Sequence, residues 1–376
     1  MEYFDPPVKS IHPDERLYSG FVPGLPPELE PLKLQLVEIQ CNDSPYKTAA
    51  VRSELLLQTL AHVQADPDCT PEVYAALQSA LAIAYQQHPG GNRTQEMEAA
   101  LVACEEALRV YTLEHHPSQY ASVQVTLGNV YRERALGIQR DNLERSIACY
   151  REALRVSTQA DHPYAYAQAQ HGLGQTYQLR IEGERQHNLE QALTCCHAAL
   201  GVRTTEAFPF EQALTLHVLG TAFIRRVAGE RRDNLEQAIA CFRQAEVVFM
   251  LEAFPREYAE GQHVLATAYS QRISGEQRDN LEQAITYYHQ ALRVYRLDAL
   301  PLEYARVQNN LCLAYWQRIA GERRDNLERA IACGREGLRV YTLDLFPFQY
   351  AMLQNNLGAV YLVRFAGERR DNLEQT

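Results

Sequence analysis

Histidine and asparagine recur in one register of the sequence and form its first candidate site. His171, His217 and His263 are 46 residues apart, and Asn309 and Asn355 continue the series. Three histidines could suggest a zinc site, but zinc holds its nitrogen ligands at about 2 Å. Stacked helical units lie about one helix diameter, roughly 10 Å, apart. The series therefore predicts no metal site, and no cofactor is expected.

Asparagine favours a different chemistry, because its amide can satisfy both the N–H and the C=O of an extended peptide backbone. Asn310 and Asn356 directly follow the two asparagines of the series, within Gln-Asn-Asn-Leu at 308–311 and 354–357. These pairs indicate a surface that binds a peptide. The alternative is that the side chains are only solvated or pair with adjacent helices.

No catalytic constellation accompanies these residues. The chain contains no Ser-His-Asp arrangement, glycine-rich phosphate loop or pair of carboxylates that rises above chance, so we do not expect an enzyme. The nine cysteines include no C-x-x-C pair. Four of them share one repeat position beside an apolar stripe, where cysteine serves as a small hydrophobic residue: Cys149, Cys195, Cys241 and Cys333. We expect reduced packing residues in a cytoplasmic protein.

Charge and hydropathy narrow the classes of partner. The net charge of −11 argues against general binding to a phosphate backbone. Arginine pairs such as Arg231-Arg232 and Arg323-Arg324 are flanked by Glu and Asp, so we expect paired loop charges rather than a nucleic-acid site. No run of about 18 apolar residues occurs, and the start has no cationic stretch followed by an apolar one. Neither a membrane span nor a secretory signal is expected.

The period of 46 residues extends along most of the chain. The motif Asn-Leu-Glu recurs without insertion or deletion, beginning at Asn142, Asn188, Asn234, Asn280, Asn326 and Asn372. A regular period over this length predicts a stacked array in which each unit contacts its neighbours.

Each unit is predicted to contain two helices. The first opens at a proline, which suits the first helical turn, and it ends near an arginine followed three residues later by a glycine that can take a left-handed conformation. The second opens with Asp-Asn-Leu-Glu, which we interpret as an Asp cap with a capping-box Glu. The predicted fold is all-α, a solenoid of antiparallel helix pairs.

The period also divides the chain into three parts. Residues 1–25 are a proline-containing leader, 26–70 a degenerate N-terminal capping repeat, and 71–376 the array with an incomplete last repeat. A helix over about 347–366 would then expose Leu357, Val360 and Tyr361, because the second helix starting at Asp371 is cut short. We predict either a longer array or protein, or self-association through this C-terminal end.

One unit carries the residues of a known repeat. Leu127-Gly128-Asn129-Val130-Tyr131, followed by Ser146-Ile147, Tyr150 and Ala153-Leu154, resembles the tetratricopeptide repeat. The unit here is 12 residues longer than the usual 34. Long units with Gly-Glu-Arg-x-x-Asn-Leu-Glu resemble bacterial arrays best known in cyanobacteria, some of which are fused to caspase-like proteases of the CHAT type.

The resemblance implies a superhelix in which the first helices line a concave groove. Residues two before, one before, two after and five after the repeated leucine would face that groove, and the candidate site residues come from the first three of these positions: Asn129, His171, Gln175, His217, His263, Asn309, Asn310, Asn355 and Asn356. The family's carboxylate-binding groove needs Lys and Arg at these positions, and we expect none there, so that activity is not expected. The implied function is a non-enzymatic scaffold that binds a peptide or a partner domain. The alternative is a sensor or regulatory arm of a larger signalling protein or protease.

Overall fold

The computed structural model describes residues 45–65, 69–88 and 92–374, with side chains described for 51–64, 69–88 and 92–364. These residues form fourteen helices and no strand, so the all-α prediction is confirmed. The predicted leader at 1–25 and residues 26–44 and 66–68 of the predicted capping repeat at 26–70 lie outside the described residues. The chain divides into two compact units at Phe208, which are described separately below.

Unit 1 contains seven helices: α1 (Pro45–Ala65), α2 (Pro71–Gln87), α3 (Arg93–Leu108), α4 (Pro117–Glu133), α5 (Gln139–Leu154), α6 (Pro163–Leu179) and α7 (Arg185–Leu200). Within it, α2 packs on α3, α4 on α5 and α6 on α7, and the first helices α2, α4 and α6 also contact one another in order. This is the predicted series of helix pairs.

Unit 2 repeats the arrangement with α8 (Pro209–Arg225), α9 (Arg231–Glu246), α10 (Pro255–Ser270), α11 (Gln277–Ala291), α12 (Pro301–Gln317), α13 (Arg323–Leu338) and α14 (Pro347–Glu374). The first helices α8, α10, α12 and α14 again contact one another in order. Proline opens each of them, as predicted, because its missing N–H would have no partner in the first turn.

In two pairs an aromatic ring of the second helix packs against a glycine of the first, Tyr150 on Gly128 and Phe242 on Gly220. Tyr150 in α5 is fully buried. A Cβ atom at Gly128 would lie 2.8 Å from its ring, and one at Gly172 would lie 2.3 Å away. The two glycines therefore let successive first helices, α4 and α6, close on the same tyrosine.

The loop glycines adopt the predicted left-handed conformation, with φ of 77° at Gly275 and similar values at Gly137, Gly183, Gly229 and Gly321. The capping-box interpretation, in contrast, is wrong. The second helices begin two residues before the Asp, as α9 does at Arg231, and the side chain of the N-cap residue Glu230 makes no capping hydrogen bond.

The asparagine of Asp-Asn-Leu-Glu holds the loop before the second helix, a role that the capping-box interpretation did not include. Asn280 is buried, and its amide nitrogen donates to the loop carbonyl of Ser274 at 2.9 Å. Its oxygen lies 3.4 Å from Nη1 of Arg272, whose Nε and Nη2 bind both carboxylate oxygens of Glu236 in the preceding pair at 2.8 and 2.9 Å. We call Glu236, Arg272, Gly275 and Asn280 a loop node. The motif therefore organises the loop and ties one pair to the next, rather than capping its own helix.

The same inter-pair bond, between residues 36 positions apart, is found in both units. In unit 1 it joins Arg134 to Glu98 and Arg180 to Glu144, and in unit 2 it also joins Arg318 to Glu282. Bidentate pairing of this kind is geometrically specific, so it sets the spacing of neighbouring pairs as well as stabilising them.

The end of the chain differs from the prediction. The helix α14 continues through Gly367 to Glu374, so no second helix starts at Asp371. Leu357 and Val360 are buried and Tyr361 is half-buried, whereas Phe348 and Leu362 are 76% and 74% exposed. An exposed apolar face exists on α14, but Leu357 and Val360 do not form it.

The cysteines behave as packing residues. The eight in the described ranges are free thiols. Cys149, Cys195 and Cys241 are buried and Cys333 is half-buried, as their position beside the apolar stripe predicts. Burial raises the pKa of the Cys195 and Cys241 thiols to about 11, so thiolate chemistry is disfavoured at both.

Candidate binding site on the first helices

In unit 2 the predicted site residues lie on neighbouring first helices. We call His217 (α8), His263 (α10), Asn309 and Asn310 (α12), and Asn355 and Asn356 (α14) the polar column. Its members differ in exposure: His263 and Asn309 are only 7% and 6% exposed, while Asn355 is exposed. The column is therefore buried in its middle, at His263 and Asn309, and open to solvent at Asn355.

A hydrogen-bond chain joins three of these helices. The amide nitrogen of Asn356 donates to Oδ1 of Asn309 at 3.0 Å, and Nδ2 of Asn309 lies 3.4 Å from Oδ1 of Asn310. Nδ2 of Asn310 then donates to Nε2 of His263 at 3.1 Å. Because an amide donates from nitrogen and accepts at oxygen, all three bonds run in one direction. Nε2 of His263 is the terminal acceptor, so the neutral ring carries its proton on Nδ1.

An ion pair lies beside the histidine. Nη2 of Arg306 and the hydroxyl of Tyr295 each bind Oε2 of Glu260 at 2.7 Å. Burial would raise the pKa of Glu260, but the Arg306 charge, with the two nearby histidines, holds that pKa below its usual value. The other carboxylate oxygen lies 4.0 Å from Nδ1 of His263, too far for a hydrogen bond.

The two histidines of the polar column are neutral at pH 7. Burial lowers the pKa of both imidazoles, that of His263 to about 4. Nε2 of His217 and Nδ1 of His263 are buried and have no hydrogen-bond partner among the described residues. Such a group costs about 1–3 kcal/mol when it is left unsatisfied.

The predicted residues of unit 1 have other surroundings. Oδ1 of Asn129 accepts from the Tyr150 hydroxyl at 2.6 Å and from Arg132 at 3.2 Å. His171 is half-buried and already has an interaction partner, and Gln175 is half-buried. Asn129 therefore belongs to a cluster around Tyr150 and does not extend a chain of amides.

Sequence reasoning missed three charged groups. Glu260 and Arg306 occupy equivalent positions 46 residues apart, and this opposite-charge spacing was a signal for their pairing. Arg132 stands five residues after the repeated leucine, a position that the family's carboxylate-binding groove uses. Its guanidinium is bound to Tyr150, Asn129 and Glu133, which leaves it committed within the fold.

The loop arginines also differ from expectation. Nη1 of Arg231 donates to the carbonyl of Ile224, and Nη1 of Arg323 donates to that of Trp316. Both side chains cap the last turn of the preceding first helix, where a cation is favourable. For these two arginines the prediction of paired loop charges is wrong.

The described residues offer neither a group of metal ligands nor a membrane-spanning helix. Within the described ranges, no three His, Cys, Asp or Glu side chains are grouped as a metal site would require. None of the helices in those ranges combines the length and the apolar character needed to cross a bilayer. No protein-family model matches the chain, and no curated protein matches it significantly.

Proposed function

We propose that this chain is a protein-interaction scaffold of the long-unit tetratricopeptide type, acting in the bacterial cytoplasm. The polar column of unit 2 would bind an extended peptide or a peptide-like segment of a partner domain. Support for the family comes from the Leu-Gly-x-x-Tyr unit and from the repeated helix pairs of the fold. The regulatory-arm alternative rests on the same resemblance and differs only in what the scaffold is joined to.

The directional amide chain is the observation that carries this proposal. An asparagine amide has two N–H donors and two acceptor lone pairs, and the chain uses one of each at Asn310. The Asn310 amide also faces the Tyr288 hydroxyl, so an acceptor lone pair remains on that half-buried side chain, and the exposed Asn355 amide supplies donors beside it. A peptide bond presents the complementary pair, and groups oriented before binding reduce the entropy lost on association.

Selection from a random-peptide phage library against the purified chain tests the proposal, followed by calorimetry with the selected peptides. The variants Asn310→Ala, Asn355→Ala and Asn356→Ala should each weaken binding, by about tenfold where a hydrogen bond is lost. Gln354→Ala is the matched control, because this exposed amide lies on α14 but binds Tyr350 of the same helix.

Asn309 needs separate treatment because it is buried and accepts from Asn356. Asn309→Ala should lower stability, and so its effect on binding is not diagnostic. If the peptides bind Asn310→Ala, Asn355→Ala and Asn356→Ala as tightly as they bind the unmodified chain, the proposed surface is wrong.

A further inference from the structure

Three arginines occupy the same place in three helix pairs. Each is the first residue of a second helix, and each donates Nη1 to a carbonyl in the last turn of the preceding first helix. The donor–acceptor pairs are Arg93 with Gln86, Arg231 with Ile224, and Arg323 with Trp316. This shared bond holds the three guanidinium groups in equivalent orientations.

The second amino group distinguishes Arg323 from the other two. Nη2 of Arg93 binds Oε2 of Glu133, and Nη2 of Arg231 binds Oε1 of Gln271 at 2.5 Å. Each acceptor stands 40 residues after its arginine. At that distance from Arg323 the residue is Val363, which has no side-chain acceptor. Among the described residues Arg323 has no other hydrogen-bond or ion-pair partner than the Trp316 carbonyl.

A cavity lies where the missing acceptor would be. It is open to solvent, has a volume of about 770 Å³, and is lined by Arg323, Val363, Trp316, Ile273, Tyr269 and Gln271 among others. This volume is within the usual range for small-molecule sites. The other lining arginine, Arg272, is already bound to Glu236, and none of the lining residues in the described part of the chain is acidic. Among those residues, the cavity combines aromatic and apolar walls with one cation, Arg323, that has no counter-charge.

We propose that this cavity binds a carboxylate attached to an aromatic or apolar group. The carboxylate would accept from Nη2 of Arg323, as Glu133 does from Arg93, and the apolar group would pack on Trp316, Ile273 and Val363. The site is separate from the polar column, since none of the six column residues lines it. It also differs from a groove on the first helices, because its cation opens a second helix.

Fluorescence can report binding directly, because Trp316 is the single tryptophan of the chain. The probe is N-acetyl-phenylalanine, and N-acetyl-phenylalaninamide, which lacks the carboxylate, is its control. We expect a saturable change with the acid and at least about tenfold weaker binding of the amide, since charge-assisted hydrogen bonds are lost. The carboxylate could belong to the end of a polypeptide chain or to a small molecule. The peptide Ala-Ala-Ala-Phe with a free carboxyl group distinguishes the two: tighter binding than that of the acid indicates a chain end, and equal binding indicates a small molecule.

Variants assign the effect to the cavity. Arg323→Gln should weaken binding of the acid by about tenfold or more, while Arg324→Gln, with the same loss of charge on the adjacent residue, should not. Val363→Gln supplies the acceptor found at Gln271 and should compete with the probe, whereas Val363→Leu should not. No saturable response to the acid, or equal affinity in Arg323→Gln, would overturn the proposal.

Discussion

Residue types recur from pair to pair in the loops, but they change from pair to pair on the faces of the first helices. Loop nodes keep the same residue types in both units, and from Asn142 to Asn326 each asparagine amide donates to the loop carbonyl six residues before it. The first-helix face changes from valine to histidine to asparagine along the series Val125, His171, His217, His263, Asn309 and Asn355. A residue type is kept where every pair needs the same buried bond. It varies where the side chain meets only its neighbours or the solvent, and this is the face that can differ from pair to pair for a partner.

The largest expected effect comes from breaking a loop node. Asn280→Ala removes the donor to the Ser274 carbonyl and the acceptor facing Nη1 of Arg272, and Asn280 is 4% exposed. We expect a loss of about 2 kcal/mol. Hydrogen exchange over 272–291 should measure it locally, because long repeat arrays need not unfold in one step. Asn355→Ala, on the variable face, should change stability by less than about 0.5 kcal/mol. Equal effects would remove the distinction between the two regions.

Lowering the pH should destabilise the structure around His263, the buried histidine of the polar column. The folded pKa of His263, about 4, is below that of a free imidazole, about 6.5, so the unfolded state binds the proton first. Stability is therefore complete above pH 6.5 and falls as the pH drops towards 4. His263→Asn, which places the residue of the next pair at this position, should flatten the dependence in urea unfolding. If the unmodified chain and His263→Asn lose stability equally as the pH falls, this pH dependence does not come from His263.

A smaller effect is expected from one inter-pair ion pair. The Arg272 hydrogen bond lowers the pKa of Glu236 below its ordinary value of 4.5. Its contribution is thus present above that pH and is lost as the pH falls through the folded pKa. The Glu236 side chain is 35% exposed, so we expect only about 0.5–1 kcal/mol from Glu236→Gln. A double-mutant cycle with Arg272→Gln at pH 7 and pH 3 measures the coupling, which should be weaker at the lower pH.

Much of the fold follows from the sequence, because prolines, glycines and apolar periodicity act locally. The start of each first helix at proline and the left-handed loop glycines are local consequences of residue type. The role of Asp-Asn-Leu-Glu could not be decided locally. A capping box and a loop node use the same letters, and they differ in whether Glu236 bonds its own helix or Arg272, 36 residues later.

The candidate site was also only partly predictable from the sequence. Residue spacing placed His263, Asn309, Asn310 and Asn356 in one column, and the structure joins them by hydrogen bonds. The direction of those bonds depends on amide orientation, which no periodicity encodes. The uneven burial along the column likewise depends on how closely each first helix packs against the next one.

Hydrogen exchange of the chain with and without a phage-selected peptide tests the central claim most directly. If the variable face of unit 2 is the binding surface, added protection should appear in the first helices 255–270, 301–317 and 347–364. Protection in the loops at 271–276 and 318–322 and in the second helices 277–291 and 323–338 should stay unchanged. Protection confined to those loops or second helices would contradict the account.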